Sequence, residues 1–356
     1  MRVPYIHNAE LINLERQLPG NYCEDKKTAR FTLDALFNER INEIGGHIIF
    51  HSPFSGSVSK AFLSIAASLI RFNEKYVFII TGNRLQTLFL KHSFKSVNLN
   101  CPIMEEKPFG DKCRTEIGFC DIIYDSINFF LVYSAEDIPN FICHESFFNY
   151  QSFWQFVDTS QALPISEEGK WAYPNQRDNN YDGYNVGIWG NENITRFTTY
   201  LYSSYLPTEC IKNGFNGEMP LLLKNEKQFE WIKEKIRAIH SNSIAVLFQR
   251  DIDVKLAFHS FLQEGITVEA KYSIGREMID NIDFKTNVPK LLTYYDSKGL
   301  LFDTVIMPIH SLCNNNLSRR LVTIATSTAY NNLYVIYDEM PELFKNIPSS
   351  LYCDHS

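Results

Sequence analysis

Short apolar runs alternate with amphipathic stretches along most of the chain. Runs typical of buried strands stand at His47–His51, Tyr76–Thr81, Cys120–Asp125, Phe129–Tyr133, Ile244–Phe248, Ile266–Ala270, Leu291–Tyr295, Phe302–Pro308 and Leu333–Tyr337. Helical spacing of apolar residues predicts helices at Glu10–Gln17, Asp25–Ile44, Val58–Phe72, Gly82–Phe94, Ile194–Leu206, Lys227–His240 and Asp253–Glu264, and one that opens near Ser318. Strands and helices that alternate in two blocks predict an α/β protein with mostly parallel sheets flanked by helices.

A loop-like segment divides the two blocks. Residues Glu167–Gly190 are rich in asparagine, aspartate, glycine and tyrosine, as an exposed connection would be. We therefore predict an N-terminal helical segment over residues 1–46, a first α/β domain over 47–190 and a second over 191–356.

Composition narrows the classes of function. A chain of 356 residues with 45% hydrophobic side chains can bury two cores of ordinary size. The net charge of -7 argues against a broad basic surface for nucleic acid. The eight cysteines form no Cys-x-x-Cys pair, and neither a secretory leader nor a run of about eighteen apolar residues is present. We expect a cytoplasmic protein with reduced thiols and no membrane partner.

The turn after His47–His51 has the setting of a phosphate-binding loop, because a strand, a turn of small residues and a helix follow one another. A working loop reads G-x-x-x-x-G-K-S/T, and its lysine reaches the β and γ phosphates. Here Gly56 is followed by Ser57 and Val58, and the nearest lysine, Lys60, lies further along the helix. Ser55, Gly56 and Ser57 are thus the candidates for a degenerate nucleotide site.

The stretch Leu291–Asp303, LLTYYDSKGLLFD, resembles motif V of superfamily 1 helicases of the UvrD/Rep type. The matching positions are Thr293, Lys298, Gly299, Leu300, Phe302 and Asp303, whereas Leu301 stands where the family has glutamate. Tyr76–Arg84 is similar to motif Ia of the same family, Ile244–Arg250 to motif IV and Leu317–Ala329 to motif VI. The resemblance implies two RecA-like domains, and the short spacing between motifs implies that the family's large inserted subdomains are missing.

The same alignment lacks the family's ATP-handling residues. The Walker A lysine is replaced by Ser57; Asp125 keeps the Walker B aspartate, but the glutamate that activates water is Ser126. No glutamine stands at Ser134–Asp137, where motif III is expected, and Thr328 replaces the arginine finger of motif VI. Each such loss costs orders of magnitude in turnover. The resemblance therefore implies a degenerate, pseudo-ATPase protein with no bound cofactor, neither ATP nor magnesium.

Three functional hypotheses follow. The first is an interaction or regulatory subunit with a protein partner, such as a nuclease or another effector of a prokaryotic antiviral or mobile-element system; this setting is an analogy. The second is residual binding of a nucleotide or of single-stranded nucleic acid, with Arg84, Arg250, Lys298 and Gly299 as contacts and an aromatic-rich stretch, Phe141–Tyr205, as a stacking surface.

The third hypothesis is a metal-dependent nuclease. Asp251 and Asp253 are followed by Glu269 and Lys271, a spacing that can bring carboxylates to one magnesium ion and a lysine to the attacked phosphate. The signal is short, and a strand that ends in Glu269 is also ordinary core sequence in the helicase family that the chain resembles.

Overall fold

A computed structural model describes residues 46–73, 77–99, 103–105, 129–133, 152–161, 181–207, 214–239, 243–312 and 314–355. The chain divides into two compact units. Of the described residues, the N-terminal unit contains 46–52 and those from 58 to 186, whereas the C-terminal unit contains 53–57 and those from 187 onward. The helices predicted at Glu10–Gln17 and Asp25–Ile44, the strand at Cys120–Asp125 and Asp125 itself lie outside the described residues.

The N-terminal unit is built on a parallel sheet. Its elements are β1 (Gly46–His51), α1 (Ser57–Asn73, of which Ser57 belongs to the C-terminal unit), β2 (Val77–Thr81), α2 (Arg84–Ser96), β3 (Ile103–Glu105), β4 (Phe129–Val132), β5 (Ser152–Phe156), a 3-10 turn (Thr159–Gln161) and β6 (Tyr181–Asn185). The strands lie in the order β3-β2-β4-β5-β1-β6, and every pairing in this sheet is parallel. The carboxyl ends of β1 and β5 therefore meet at one edge of the sheet.

Aromatic residues form the core between α1 and this sheet. Phe50 and Phe156 stack with their ring centroids 4.5 Å apart, and Phe62 of α1 meets Phe156 edge-on at 4.8 Å. Tyr133 packs against Phe62 at 4.5 Å, and all four side chains are almost fully buried. Burial of such large rings ties the helix to the middle of the sheet.

The C-terminal unit holds a larger sheet. Its elements are α3 (Glu192–Ser203), β7 (Leu221–Lys224), α4 (Gln228–Ala238), β8 (Ile244–Phe248), α5 (Asp251–Gln263), β9 (Glu269–Ile274), β10 (Glu277–Asp280), β11 (Lys290–Thr293), β12 (Phe302–Ile309), α6 (Asn316–Ser327), β13 (Ala329–Tyr337), α7 (Glu342–Lys345), a 3-10 turn (Ser349–Leu351) and β14 (Cys353–His355). The order is β10-β9-β11-β8-β12-β13-β7-β14, and β10 alone of these described strands runs antiparallel to its neighbour.

The central strand β8 explains why its sequence reads as an unbroken apolar run. All five residues of Ile244–Phe248 are buried, as expected for a parallel strand covered on both faces. On one face α5 contributes Val254, Ala257 and Phe261 to a single core cluster with β8, β9 and β11. This packing fixes where the loops after β8 and β11 emerge.

The predicted fold class is confirmed: both units are α/β, with mostly parallel sheets flanked by helices, consistent with RecA-like domains. Element boundaries differ in places. The strand predicted at Ile266–Ala270 begins only at Glu269 and runs on to Ile274, where it pairs with β10. Through the described part of the chain, no helix combines the length and apolarity needed to span a bilayer.

Candidate functional site

The turn between β1 and α1 is closed around the protein's own side chains. Gly56 has φ +79°, a left-handed conformation that favours glycine. A Cβ atom added there would lie 2.6 Å from the Cβ of Ser327, the last residue of α6. Both residues belong to the C-terminal unit. The space directly beside the glycine is therefore filled by protein.

Hydrogen bonds occupy the polar groups of the same turn. The Ser55 amide donates to the Thr199 hydroxyl at 3.0 Å, and the Thr199 hydroxyl donates to the Thr195 carbonyl at 2.7 Å. The Ser57 amide donates to the Phe54 carbonyl at 3.2 Å, and the Ser57 hydroxyl accepts from the Trp189 amide at 3.3 Å. A phosphate-binding loop needs amides that point at the anion. In this turn, the Ser55 and Ser57 amides are already bonded to protein oxygens.

Lys60 lies one helical turn after Gly56 and belongs to the N-terminal unit. It is only 3% exposed, and its Nζ atom has no hydrogen-bond partner in the part of the chain that the structure describes. Burial lowers the pKa of the Lys60 ammonium to about 8, although the negative charge of Asp158 acts in the opposite direction. The amine is therefore still mostly charged at pH 7 and loses its charge as the pH rises through about 8.

Asp158 organises the turn that follows β5. Its carboxylate accepts hydrogen bonds from the Ser160 amide at 3.1 Å, the Ser160 hydroxyl at 2.5 Å and the Gln161 side-chain amide at 3.0 Å. The carboxylate is buried, and β5 pairs directly with β1. Asp158 and Gln161 therefore stand at the sheet edge where β1 also ends, in the same unit as Lys60.

This turn bears on one sequence interpretation. The motif III glutamine was sought after Phe129–Tyr133, the segment that forms β4. The strands beside β1 are β5 and β6, and the turn after β5 contains a glutamine, Gln161. The segment in which the motif III glutamine was sought, Ser134–Asp137, lies outside the described residues, so the argument from a missing glutamine stays a prediction. The sequence signal was present as Asp-x-x-Gln directly after an aromatic strand.

The position of the arginine finger carries no cation. Thr328 caps the carboxyl end of α6, is 1% exposed, and donates its hydroxyl proton to the Ala325 carbonyl at 2.7 Å. The two arginines earlier in α6 have other contacts: Arg319 donates to the Ser204 hydroxyl at 3.0 Å, and Arg320 lies 5.8 Å from the ring centre of Tyr202. Thr328 thus stabilises a helix end.

The turn after β11 is a tightly bonded structural element. Thr293 donates its hydroxyl proton to Asp296 at 2.6 Å, and Asp296 forms an ion pair with Lys271 at 2.5 Å. Gly299 has φ +72°, as the turn requires. Lys298 is only 4% exposed. This burial argues against the predicted contact of Lys298 with a nucleic acid or a partner.

The two remaining cationic candidates lie on different units. Arg250 is exposed, but its guanidinium makes a two-pronged ion pair with Asp253, with distances of 2.9 Å and 2.8 Å. Arg84 is exposed at the first residue of α2, where Asn83 caps the helix by accepting from the Gln86 amide. No basic cluster joins Arg84, Arg250 and Lys298 within either unit.

The acidic residues of the nuclease hypothesis already have protein partners in the structure. Glu269 forms a buried ion pair with Lys290 at 2.7 Å and also accepts from the Thr286 hydroxyl and the Asp283 amide. Asp251 accepts from the Ser273 amide at 3.0 Å, while Asp253 and Lys271 have the ion-pair partners given above. Within the described ranges, no three carboxylates, histidines or cysteines are placed to hold a metal ion.

Comparisons with known proteins gave structural similarities alone. No family model matches the chain, and no curated protein matches it. The C-terminal domain of a possible DNA helicase from Lactobacillus plantarum WCFS1 is similar at 14% identity and a TM-score of 0.36, over 47% of this chain and 98% of that one. The Arterivirus nonstructural protein 10 helicase is similar at 9% identity and a TM-score of 0.41, over 85% of this chain and 62% of that one. Similarities this weak assign neither an activity nor a partner.

Proposed function

We propose that this chain is a helicase-like protein that neither hydrolyses ATP nor unwinds nucleic acid and that acts as an interaction or regulatory subunit. The observation that carries the proposal is the filled turn around Gly56. Its glycine faces Ser327, and the Ser55 amide is bonded to Thr199. A nucleotide phosphate at this turn would have to displace both contacts.

The chemistry around the turn supports the same proposal. A hydrolytic site of the helicase type needs a cation on the transferred phosphoryl group and a second cation, usually an arginine, as the transition state forms. Ser57 stands at the lysine position, and Thr328, bonded to a helix carbonyl, stands at the arginine position. Asp158 and Gln161 belong to the N-terminal unit, where the Gln161 side-chain amide donates to the Asp158 carboxylate.

A protein that keeps two α/β units without the means of turnover is best explained as a scaffold. The partner we propose is a protein, such as a nuclease or another effector of a prokaryotic antiviral or mobile-element system. The net charge of -7 supports a protein partner over nucleic acid, whose binding depends on basic residues that neutralise phosphates.

Two measurements test the proposal together. ATP binding and hydrolysis are measured on the purified full chain, beside an ATP-hydrolysing helicase as positive control. In parallel, the chain is cross-linked and co-purified from its native host, and the partner is identified by mass spectrometry. We expect no turnover and a stoichiometric protein partner. Turnover at ordinary helicase rates would overturn the proposal, as would isolation of the chain with nucleic acid alone.

The second hypothesis, binding of single-stranded nucleic acid, has one supporting feature, the exposed side chain of Arg84. Lys298 is buried and Arg250 is neutralised by Asp253. Titration of a fluorescent oligothymidylate at low salt tests it, because phosphate contacts give an affinity that falls steeply with salt. Tight, salt-dependent binding would favour this hypothesis over the protein-partner proposal.

A further inference from the structure

A cleft of about 380 Å³ lies beside the β9–β10 hairpin in the C-terminal unit. We call it the hairpin cleft and define it by Asp251, Lys271, Met278, Asp280, Tyr295 and Asp296, which all line it. It follows the carboxyl ends of β8 and β11, where α/β proteins commonly bind their ligands. The hairpin cleft shares no residue with the turn around Gly56, so the two places are separate.

Strand register brings one face of the hairpin to the cleft. Met278 pairs with Ser273, and Asp280 pairs with Lys271. Directly opposed side chains in an antiparallel pair point to the same face of the sheet, so these four side chains form one surface. The opposite face is occupied, because Tyr272 belongs to the core cluster that α5 forms with the sheet.

The charge of the cleft is negative. Its lining contains three carboxylates, from Asp251, Asp280 and Asp296, and a single ammonium, from Lys271. Lys271 forms an ion pair with Asp296 at 2.5 Å, and the lining holds three carboxylates against one ammonium. A phosphate backbone would be repelled here, whereas an arginine or lysine would be attracted.

Two large side chains that line the same cleft are exposed to solvent. Met278 is 75% exposed and Tyr295 is 65% exposed, which is unusual for side chains of this size. A methionine adapts its shape to different partners, and a tyrosine ring attracts a cation over its face. Carboxylates beside an exposed aromatic ring and a thioether suit a cationic side chain flanked by apolar ones.

We propose that the hairpin cleft binds a peptide segment of a protein partner in which arginine or lysine stands next to apolar residues. The basic side chain lies over the Tyr295 ring and between Asp251 and Asp280, and an apolar neighbour packs on Met278. This inference rests on the proposed interaction function and names the surface and the chemistry of the partner segment.

Fluorescence anisotropy of the full chain tests the cleft with defined probes. The probe is a fluorescein-labelled peptide of alternating arginine and leucine, compared with a peptide of alternating glutamate and leucine and with a labelled oligothymidylate. We expect binding of the arginine peptide alone. Asp280→Arg should weaken it roughly tenfold, because charge reversal turns attraction into repulsion, and Tyr295→Ala should weaken it severalfold.

The control is Glu226→Arg, the same charge change at an exposed position outside the cleft. It should alter affinity by less than about twofold if the cleft, and not the overall negative charge, attracts the peptide. Equal effects of Glu226→Arg and Asp280→Arg would overturn the proposal. So would equal binding of the glutamate peptide, or preferential binding of the oligothymidylate. Tyr295 is largely exposed, so its variant keeps the test valid if Asp280→Arg does not fold.

Failure of the cleft can be told apart from failure of the proposed function. If Asp280→Arg and Tyr295→Ala both retain the partner identified for the wild-type chain, the cleft is wrong and the interaction function stands. If the chain turns over ATP as a helicase does, the proposed function is wrong, and the peptide titrations still show whether the cleft binds a basic segment.

Discussion

A Cβ atom added at Gly56 would lie 2.6 Å from the Cβ atom of Ser327. The turn after β1 and the end of α6 therefore pack so closely that a residue without a side chain is needed at position 56. This contact fills the space beside the glycine of the predicted nucleotide site. The closure is local, within one compact unit. It supports the proposed loss of nucleotide handling independently of the lysine and arginine that the sequence lacks.

Replacement of Gly56 tests this packing. Gly56→Ala should lower the free energy of unfolding by roughly 3 kcal/mol, because the added Cβ meets both left-handed strain and overlap with Ser327. Gly265→Ala is the matched control: its φ is +71°, but nothing lies within 4 Å of the added atom. Urea unfolding should show a smaller loss for the control, about 1 kcal/mol. Equal losses would show that the Ser327 contact contributes nothing.

The hydrogen bond to the Ser55 amide can be tested with adjacent threonines. Thr199→Val removes the acceptor for this amide and should cost about 1–2 kcal/mol, since a buried donor is left unpaired. Thr198→Val is the control, because the buried Thr198 hydroxyl has no hydrogen-bond partner among the described residues. Its replacement should be neutral or slightly stabilising. If both variants unfold at the same urea concentration, the bond does not hold the turn.

The lowered pKa of Lys60 predicts that the stability of the fold depends on pH, and it fixes the direction of the change. Its pKa is about 8 in the folded chain against an ordinary value of 10.5, so the unfolded chain holds the extra proton between these values. Stability attributable to Lys60 should therefore rise as pH increases from about 8 to 10.5. Lys60→Met removes the desolvated ammonium and should stabilise the chain below pH 8 by roughly 3 kcal/mol.

The gain from Lys60→Met should shrink through the same pH window and vanish above it. Lys91→Met, at an exposed position of α2, is the control and should show no such window. Chemical unfolding at several pH values makes the comparison. A gain that stays constant with pH would contradict the assignment of the depressed pKa to Lys60.

Glu269 is expected to matter for stability and not for nuclease chemistry. Glu269→Ala leaves Lys290 buried without its ion-pair partner and should destabilise the chain by about 3 kcal/mol. Glu226→Ala, at an exposed position, should change stability by less than about 0.5 kcal/mol. Thermal unfolding measures both, and magnesium should not shift either midpoint. Magnesium-dependent DNA cleavage that Glu269→Ala abolishes would revive the nuclease hypothesis.

Much of the fold could be predicted because the pattern of apolar residues along the chain agrees with which residues the fold buries. Ile244–Phe248 forms a strand over its predicted length, and Phe302 begins β12 as expected. The strand Glu277–Asp280 was not predicted. Its four residues are too few to show the alternation of polar and apolar residues that indicates a strand, and pairing with β9 makes them one. Turn residues such as Gly299 were correctly placed because a positive φ needs glycine.

The candidate site was less predictable because it depends on which strands are neighbours. Gln161 was missed since only the sheet order puts β5 beside β1. Lys298 was proposed as a contact because it matches motif V of the helicase resemblance, yet it is only 4% exposed. The ion pair of Glu269 with Lys290 joins residues far apart in sequence, so the acidic spacing alone was misleading. The Walker B comparison at Asp125 lies outside the described residues and stays a prediction.

The most direct test of the central claim is steady-state ATP hydrolysis by the purified full chain with magnesium, with and without single-stranded DNA. The filled turn around Gly56 predicts no turnover above the background of the buffer and no saturable nucleotide binding at millimolar concentration. Turnover on the order of one per second or faster, as typical enzymes achieve, would contradict the claim that this chain is a scaffold without ATPase activity.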